Sequence, residues 1–309
     1  MTVNLGSGNV GLNYVPTILA QRALELLRAT HILPRFATPD TRYETAQFGQ
    51  TITIPRPMGT TANQKQPGQS VTIQTPTGSA GLQITLNQHW EVTTVIEDTA
   101  ALLANQSLMD LFVQDAVRSL AEQMEASLFS ALNNAVTNND TGAGAGLELS
   151  EIRLVRQRLT EARVPQTGRI AVIGPEVETQ IKSDAALSNY FSYQQATIAE
   201  GSIGRLEGFD WYVSQLVPTI TQTENNQNVT RRTNFFYHPR GLIVAVRPLP
   251  EVPSGMGAVA STVTDPESGL AMRVVSSYNP NYLGTQITLD MLWGVGVVRE
   301  YTWRVRTDV

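Results

Sequence analysis

Apolar residues recur along this chain with two periods, in separate blocks. From Leu108 to about Val136 there is neither glycine nor proline. Within that stretch Val113, Val117, Leu120, Met124, Leu128, Ala131 and Ala135 recur at steps of three and four, one face of an α-helix. At ~1.5 Å per residue the segment predicts a rod of about 43 Å, opened by Ser107 with Asp110 in a capping-type pattern. On the other face Asp115, Arg118 and Glu122 are spaced to pair. A second helix is expected at Glu151–Arg163, capped by Ser150. Ile152, Val155, Leu159 and Ala162 point inward, and the segment also carries Arg153, Arg156, Arg158 and Arg163. Shorter helices are expected at Thr17–Thr30, stopped by Pro34, and from Gly174-Pro175 through Lys182.

Elsewhere strand-like segments prevail. Strands are expected at Gln50–Pro55, Val71–Gln74, Leu82–Leu86, Trp90–Ile96, Arg169–Ile173, Phe209–Val213, Asn234–Tyr237 and Leu242–Arg247. The C-terminal third adds Ala271–Tyr278, Gln286–Trp293 and Val297–Arg306. Between the first two strands lies a polar excursion, Arg56 to Ser70, holding Pro57, Gly59, Pro67 and Gly68. Two strands joined by so wide a turn predict an extended hairpin too poor in apolar residues to form its own core. Residues 1–16 read as an arm that needs a partner to order it. Thr137–Gly146 reads as a glycine loop and domain boundary, Thr221–Arg232 as an exposed tip, and Ser254–Ser261 as a link of small residues.

Composition narrows the functional classes. The 309 residues carry a net charge of −5, which disfavours a polybasic nucleic-acid binder. Cysteine is absent, which removes disulfides, thiolate metal sites and cysteine nucleophiles. The three histidines, His31, His89 and His238, lack metal-ligand spacing. No apolar stretch approaches the ~20 residues that span a bilayer, and the first 21 residues do not read as a signal peptide. Phosphate-loop, zinc-protease and serine-hydrolase signatures are missing. Glu97 and Asp98 are adjacent carboxylates, but consecutive strand residues face opposite sides. His89 reads as a half-buried strand residue and His238, before Pro239, as a turn residue. Of the cationic residues only Lys65 and Lys182 are lysines; the rest are arginines, whose planar fork suits protein interfaces.

The order of these segments resembles that of a tailed-bacteriophage major capsid protein with the Hong Kong 97-type fold. Phe48–Pro57 (FGQTITIPRP) is similar to the start of that family's extended E-loop. His89-Trp90-Glu91-Val92 followed by Ser107–Val136 resembles the strand and spine helix of its peripheral domain. Ala171–Glu176 and Gly204–Tyr212 (GRLEGFDWY) resemble parts of its axial domain. Phe235–His238 with Leu242–Val246, and Gly269–Gly294, resemble the returning and closing strands.

The resemblance implies an α+β chain divided into an arm (1–49), an E-loop (50–86), a peripheral domain (87–142 and 245–293) and an axial domain (143–244 and 294–309). It implies a shell subunit with no catalytic, cofactor or metal site, in hexamers and pentamers around packaged double-stranded DNA touched only weakly and non-specifically. It places the protein in the virion capsid, assembled in the host cytoplasm, without membrane contact. No long scaffolding segment precedes the arm, so a separate scaffolding protein is implied, along with a portal and an optional decoration protein. Arg56, Lys65, Arg118, Glu122, Arg153 and Arg156 are the expected inter-subunit contacts. Some members of the family weld subunits through a hairpin lysine. Lys65, in a polar tip between Gln64 and Gln66, is expected to remain protonated and unlinked. An encapsulin-type compartment shell and a host-binding virion module are the alternative readings.

Overall fold

The computed structural model describes residues 20, 21, 23, 33–39, 51–54, 62–71, 73, 81–98, 108–136, 140–144, 146–183, 204–224, 227–253, 257–264 and 270–308. Residues 1–16, nearly all of the Thr17–Thr30 segment and Arg56 lie outside them. Ala20 and Ala23 are described and buried.

Two sheets hold most of the strands. The first contains β1 (Thr38–Pro39), β4 (Gln88–Glu97), β11 (Leu242–Arg247), β12 (Ala258–Thr264), β13 (Ala271–Asn279) and β14 (Gly284–Val297). Its organiser is the 14-residue β14. Leu292 and Trp293 pair with both β4 and β11, and Gly284 to Asp290 pair with both β4 and β13. Strand β4 therefore occupies one edge of β14, while β13 and β11 share the other end to end. The second sheet has the order β5 (Asp140–Gly144), β15 (Thr302–Asp308), β10 (Gln227–Tyr237), β6 (Arg169–Ile173), β8 (Phe209–Val213), β7 (Arg205–Leu206), with β9 (Thr219–Glu224) on β10. The chain passes between the sheets at the short 3₁₀ turns Pro239–Gly241 and Arg299–Tyr301. A third, two-stranded sheet pairs β2 (Thr51–Ile54) with β3 (Leu82–Thr85).

The long helix α1 (Leu108–Ala135) lies against both larger sheets. One core runs from Val113, Val117, Leu120, Met124 and Leu128 of the helix to Ile287, Leu289, Met291 and Trp293 of β14, and on to Ile170, Val172, Phe235 and Tyr237 of the second sheet. The ring of Phe129 lies 5.8 Å from that of Phe235. Polar contacts fix the helix at three heights. The Ser214 hydroxyl donates to buried Glu125 at 2.7 Å, Trp293 Nε1 to Ser127 at 2.9 Å, and Arg304 to the Asn133 side chain at 2.7 Å. Burial on two sides turns the apolar face at the helix end. Leu132 and Val136 are buried there, whereas Ala131 and Ala135 are only half-buried.

A second core lies on the far face of the second sheet. Ile152, Val155 and Leu159 of α2 (Leu149–Glu161) and Val177 and Ile181 of α3 (Pro175–Ser183) pack on Phe209, Trp211 and Phe236. Buried Arg169 ties α2 to β6, donating to the carbonyls of Arg156, Val164 and Pro165 and to the Thr160 hydroxyl.

Six expectations need correction. Thr221–Arg232, expected as an exposed tip, lies largely in β9 and β10, with Arg231 buried. The expected strand Val297–Arg306 is broken by the turn Arg299–Tyr301, after which β15 begins in the other sheet. Strand β2 is answered by Leu82–Thr85 and not by the 71–74 segment; Val71 and Ile73 belong to no strand and are exposed. The glycine-rich Thr137–Gly146 stretch contains strand β5, which gains parallel pairing with β15. The N-cap of α2 is Glu148, in a capping box with Glu151, in place of Ser150. The second half of the expected link at Ser254–Ser261 is the start of β12.

Candidate functional site

The hairpin is seated by glycine. Along β11, Leu242, Val244 and Val246 face the helix, while Ile243 and Ala245 face the opposite side. There they meet Ile84 and Leu86, both fully buried, with Ile52, Ile54 and Leu82 around them. The floor under this root is Gly294 and Gly296 of β14. A Cβ at 294 would lie 2.5 Å from the Thr85 carbonyl oxygen, and one at 296 would lie 2.5 Å from Ile84 Cγ1. Only hydrogen at these positions lets β3 lie flat on the sheet. The two glycines that interrupt the apolar C-terminal run are therefore a docking surface for the hairpin. Beyond the root, residues 62–71 and 73 are all exposed, Lys65 among them; Val71 is 64% and Ile73 86% accessible.

The charged candidates separate into two places. Arg118 and Glu122 pair with each other at 3.1 Å on the outer face of α1. Arg153 and Arg156 project from α2 and converge on one carboxylate, Glu207, at 3.1 and 3.0 Å. Glu207 sits in the β7–β8 turn with φ of 50°, followed by Gly208 at 85°. Residues 153 and 156 thus share a site, but the partner joining them lies more than fifty positions downstream. Gly208 signals a turn by its conformational freedom; nothing local signals that the Glu207 carboxylate faces a helix. With Gln157, Thr160 and Gln166 these residues line an open groove.

The titratable groups weighed for chemistry are held in structural contacts. Buried Asp290 on β14 accepts from Arg273 Nε at 3.0 Å and lies 3.1 Å from His89 Nε2. Asp98 accepts from the Tyr278 hydroxyl at 3.0 Å, a bond that raises the Tyr278 pKa and keeps the phenol a donor. His238 Nδ1 accepts from the Arg240 backbone N–H at 3.2 Å. Burial, with nearby Arg240 and Arg169, lowers the His238 pKa below the ordinary imidazole range. Desolvation raises the phenol pKa of buried Tyr237 far above its usual value. Among the described residues no group of three His, Asp or Glu side chains is placed to hold a metal ion.

This arrangement of two sheets, a long helix and a hairpin has counterparts of similar fold among solved structures. The chain is similar to a chain of a solved structure of Mycobacterium phage Che8, with 15% identity and a TM-score of 0.60, covering 89% of this chain and 90% of that one. It is similar to a chain of the mature capsid of bacteriophage PhiM1, with 14% identity, TM-score 0.61 and coverages of 90% and 87%. It also matches a capsid chain of a native GTA particle, with 12% identity, TM-score 0.59 and 90% coverage of both. At such identities the likeness establishes the fold, which is α+β and of the Hong Kong 97 type. No curated protein sequence matches the chain. The sequence profile described as phage capsid protein matches residues 41–251, more than half of the chain and including the hairpin, the long helix and α2. By that match, with the fold in agreement, this chain belongs to the phage capsid protein family and is a structural subunit of the shell of a tailed phage.

Proposed function

We propose that the chain closes an icosahedral shell as hexamers and pentamers around a double-stranded DNA genome. The observation that carries the proposal is the hairpin: a root buried on a glycine floor, continued by a segment with every described residue exposed. An exposed excursion containing Val71 and Ile73 gains order when a neighbouring copy covers it. The subunit divides into arm (1–49), E-loop (50–86), peripheral domain (87–142 and 245–293) and axial domain (143–244 and 294–309), with the long helix shared by the two sheets. Arg56, Lys65, Arg118, Glu122, Arg153 and Arg156 are assigned to contacts between copies. Lys65 on the exposed excursion, and the Arg153–Arg156 pair with side chains half or more accessible, are the members best supported by position.

A separate scaffolding protein and a portal complete the assembly, a decoration protein is an optional partner, and DNA is touched weakly because the chain is acidic overall. The subunit performs no catalysis. Excising Thr60–Ser70 tests the reading. The variant is expected to fold with a Tm close to that of the unassembled wild-type chain and to fail to form stable shells. Normal shells from the excised chain would refute the inter-subunit role of the hairpin.

A further inference from the structure

A two-stranded ribbon crosses between the two large sheets. Pairing of β10 with β15 ends at Tyr237 and Thr302, and pairing of β11 with β14 begins at Leu242 and Val297. The residues between, 238–241 on one strand and 298–301 on the other, hold the two 3₁₀ turns. The turns grip each other. His238 N–H donates to the Tyr301 carbonyl at 3.1 Å, and Val298 N–H to the Gly241 carbonyl at 2.8 Å. Gly241 permits the approach, since a Cβ there would lie 2.8 Å from Tyr301 Cβ and 3.1 Å from Thr302 Cγ2. The Thr38 hydroxyl donates to the Pro239 carbonyl at 3.0 Å, which ties β1 to the same place.

One side chain closes this crossing. His238 is the N-cap of the Pro239–Gly241 turn, and its Nδ1 accepts from the Arg240 backbone N–H at 3.2 Å. The other ring nitrogen donates to the Thr167 backbone carbonyl, in the loop between α2 and β6. Imidazole makes both bonds only when neutral, with its single proton on Nε2. Serine, threonine or asparagine, the usual caps, would hold the Arg240 N–H at any ordinary pH. Histidine holds it only above its own titration.

The surroundings weigh against a second proton. Burial and then Arg240, on the same turn, lower the imidazole pKa; the Thr167 bond raises it, and Arg169 on β6 lowers it again. On the facing turn the Tyr301 ring lies 6.2 Å away, centroid to centroid, with Arg299 and Glu300 beside it in the chain. A proton taken from solvent goes to Nδ1 and turns that acceptor into a donor. It then points at the Arg240 N–H, a second donor, and the new charge is repelled by Arg240 and Arg169. The cap is lost, and the ring is driven from its seat. The helix α1, packed on both sheets, remains as the firmer link between them.

We propose that His238 is an acid-sensitive latch on the crossing between the two sheets. Neutral, it fastens the Pro239–Gly241 turn to the α2–β6 loop; protonated, it releases the turn and loosens the joint that sets one sheet against the other. The latch belongs to the single chain and does not depend on the shell-forming role.

Amide hydrogen exchange of the unassembled chain at pH 7 and pH 5 tests it, each rate divided by the intrinsic rate at that pH. Opening over residues 238–242 and 298–302 is expected to become more frequent in acid. The increase at pH 5 is at most about thirtyfold, the limit set by an ordinary imidazole pKa of about 6.5. At pH 5 the crossing is expected to exchange at least about tenfold faster than residues 117–128 of α1, whose opening requires the core to unfold. His238→Asn keeps a side-chain oxygen for the Arg240 N–H and is expected to lose the acid response. An equal response in wild type and His238→Asn overturns the proposal. So does equal protection of the crossing and of α1 at pH 5, because the crossing would then open only with the whole chain. If His238→Asn does not fold, the wild-type chain still decides: unchanged protection of the crossing between pH 7 and pH 5 overturns the latch.

Discussion

Adding one methyl group at Gly294 perturbs the seat of the hairpin. In Gly294→Ala the new Cβ would stand 2.5 Å from the Thr85 carbonyl oxygen, 3.0 Å from its carbon and 3.1 Å from Ile84 Cγ2. Two of these atoms are backbone, so a rotamer change cannot clear them and β3 has to move. Two responses compete. Returning Ile84 and Leu86 to water would cost roughly 1.5–3 kcal/mol each, whereas overpacking a retained root costs about 1–3 kcal/mol in total. The second is cheaper, so the root stays seated and shifts. At about 2 °C per kcal/mol for a chain of this size, Tm falls by roughly 2–6 °C. The effect on assembly is larger, because the hairpin is a lever. From Ile54 to Gly68 the chain advances 14 residues, at most about 46 Å at ~3.3 Å per residue, against a root of roughly 13 Å. A shift of ~1 Å across the root can therefore become about 3 Å at full reach, enough to misplace the contacts of an interface. Thermal unfolding of the unassembled chain, with sedimentation of assembled material, reads both effects. Gly294→Ala protein with an unchanged Tm and a wild-type yield of shells would refute the reasoning.

Two further outcomes follow from the core and from His238. Leu120→Asp places a carboxylate at a position 1% accessible between the helix and the sheets; lost packing alone costs about 2–5 kcal/mol before the charge is counted. Insoluble or unfolded protein is expected, and soluble, shell-forming Leu120→Asp would contradict the burial of that face. His238 has a folded pKa below its unfolded value, so the unfolded chain binds the extra proton first on acidification. Its stabilising contribution is complete above the unfolded pKa of about 6.5 and is lost as pH falls below it. The wild-type Tm should fall from pH 7 to pH 5 more steeply than that of His238→Asn, and parallel slopes would contradict this.

What could be read from the sequence was what depends on local period. The helix from Leu108, the five-residue strand at Arg169–Ile173 and the helix opened by Pro175 follow from spacing and from punctuation by glycine and proline. Failures occurred where distant segments decide. Asp140–Gly144 has poor strand propensity and becomes a strand because β15 supplies the pairing. Val71 and Ile73 alternate as a strand would, yet the strand that answers β2 is Leu82–Thr85, whose side chains find a glycine floor more than 200 residues away. The helix face drifts from Ala131 and Ala135 to Leu132 and Val136 because the second sheet covers that end, which no single-face pattern encodes. Of the candidate contacts, Arg153 and Arg156 were visible as charges on a helix, while Glu207, which brings them together, was not.

Self-assembly is the central claim, and electron microscopy of the chain expressed with its accompanying phage proteins tests it most directly. Closed shells of uniform diameter, with rings of six and five copies resolvable on their surface, are the expected result; a population that stays monomeric under those conditions would contradict it.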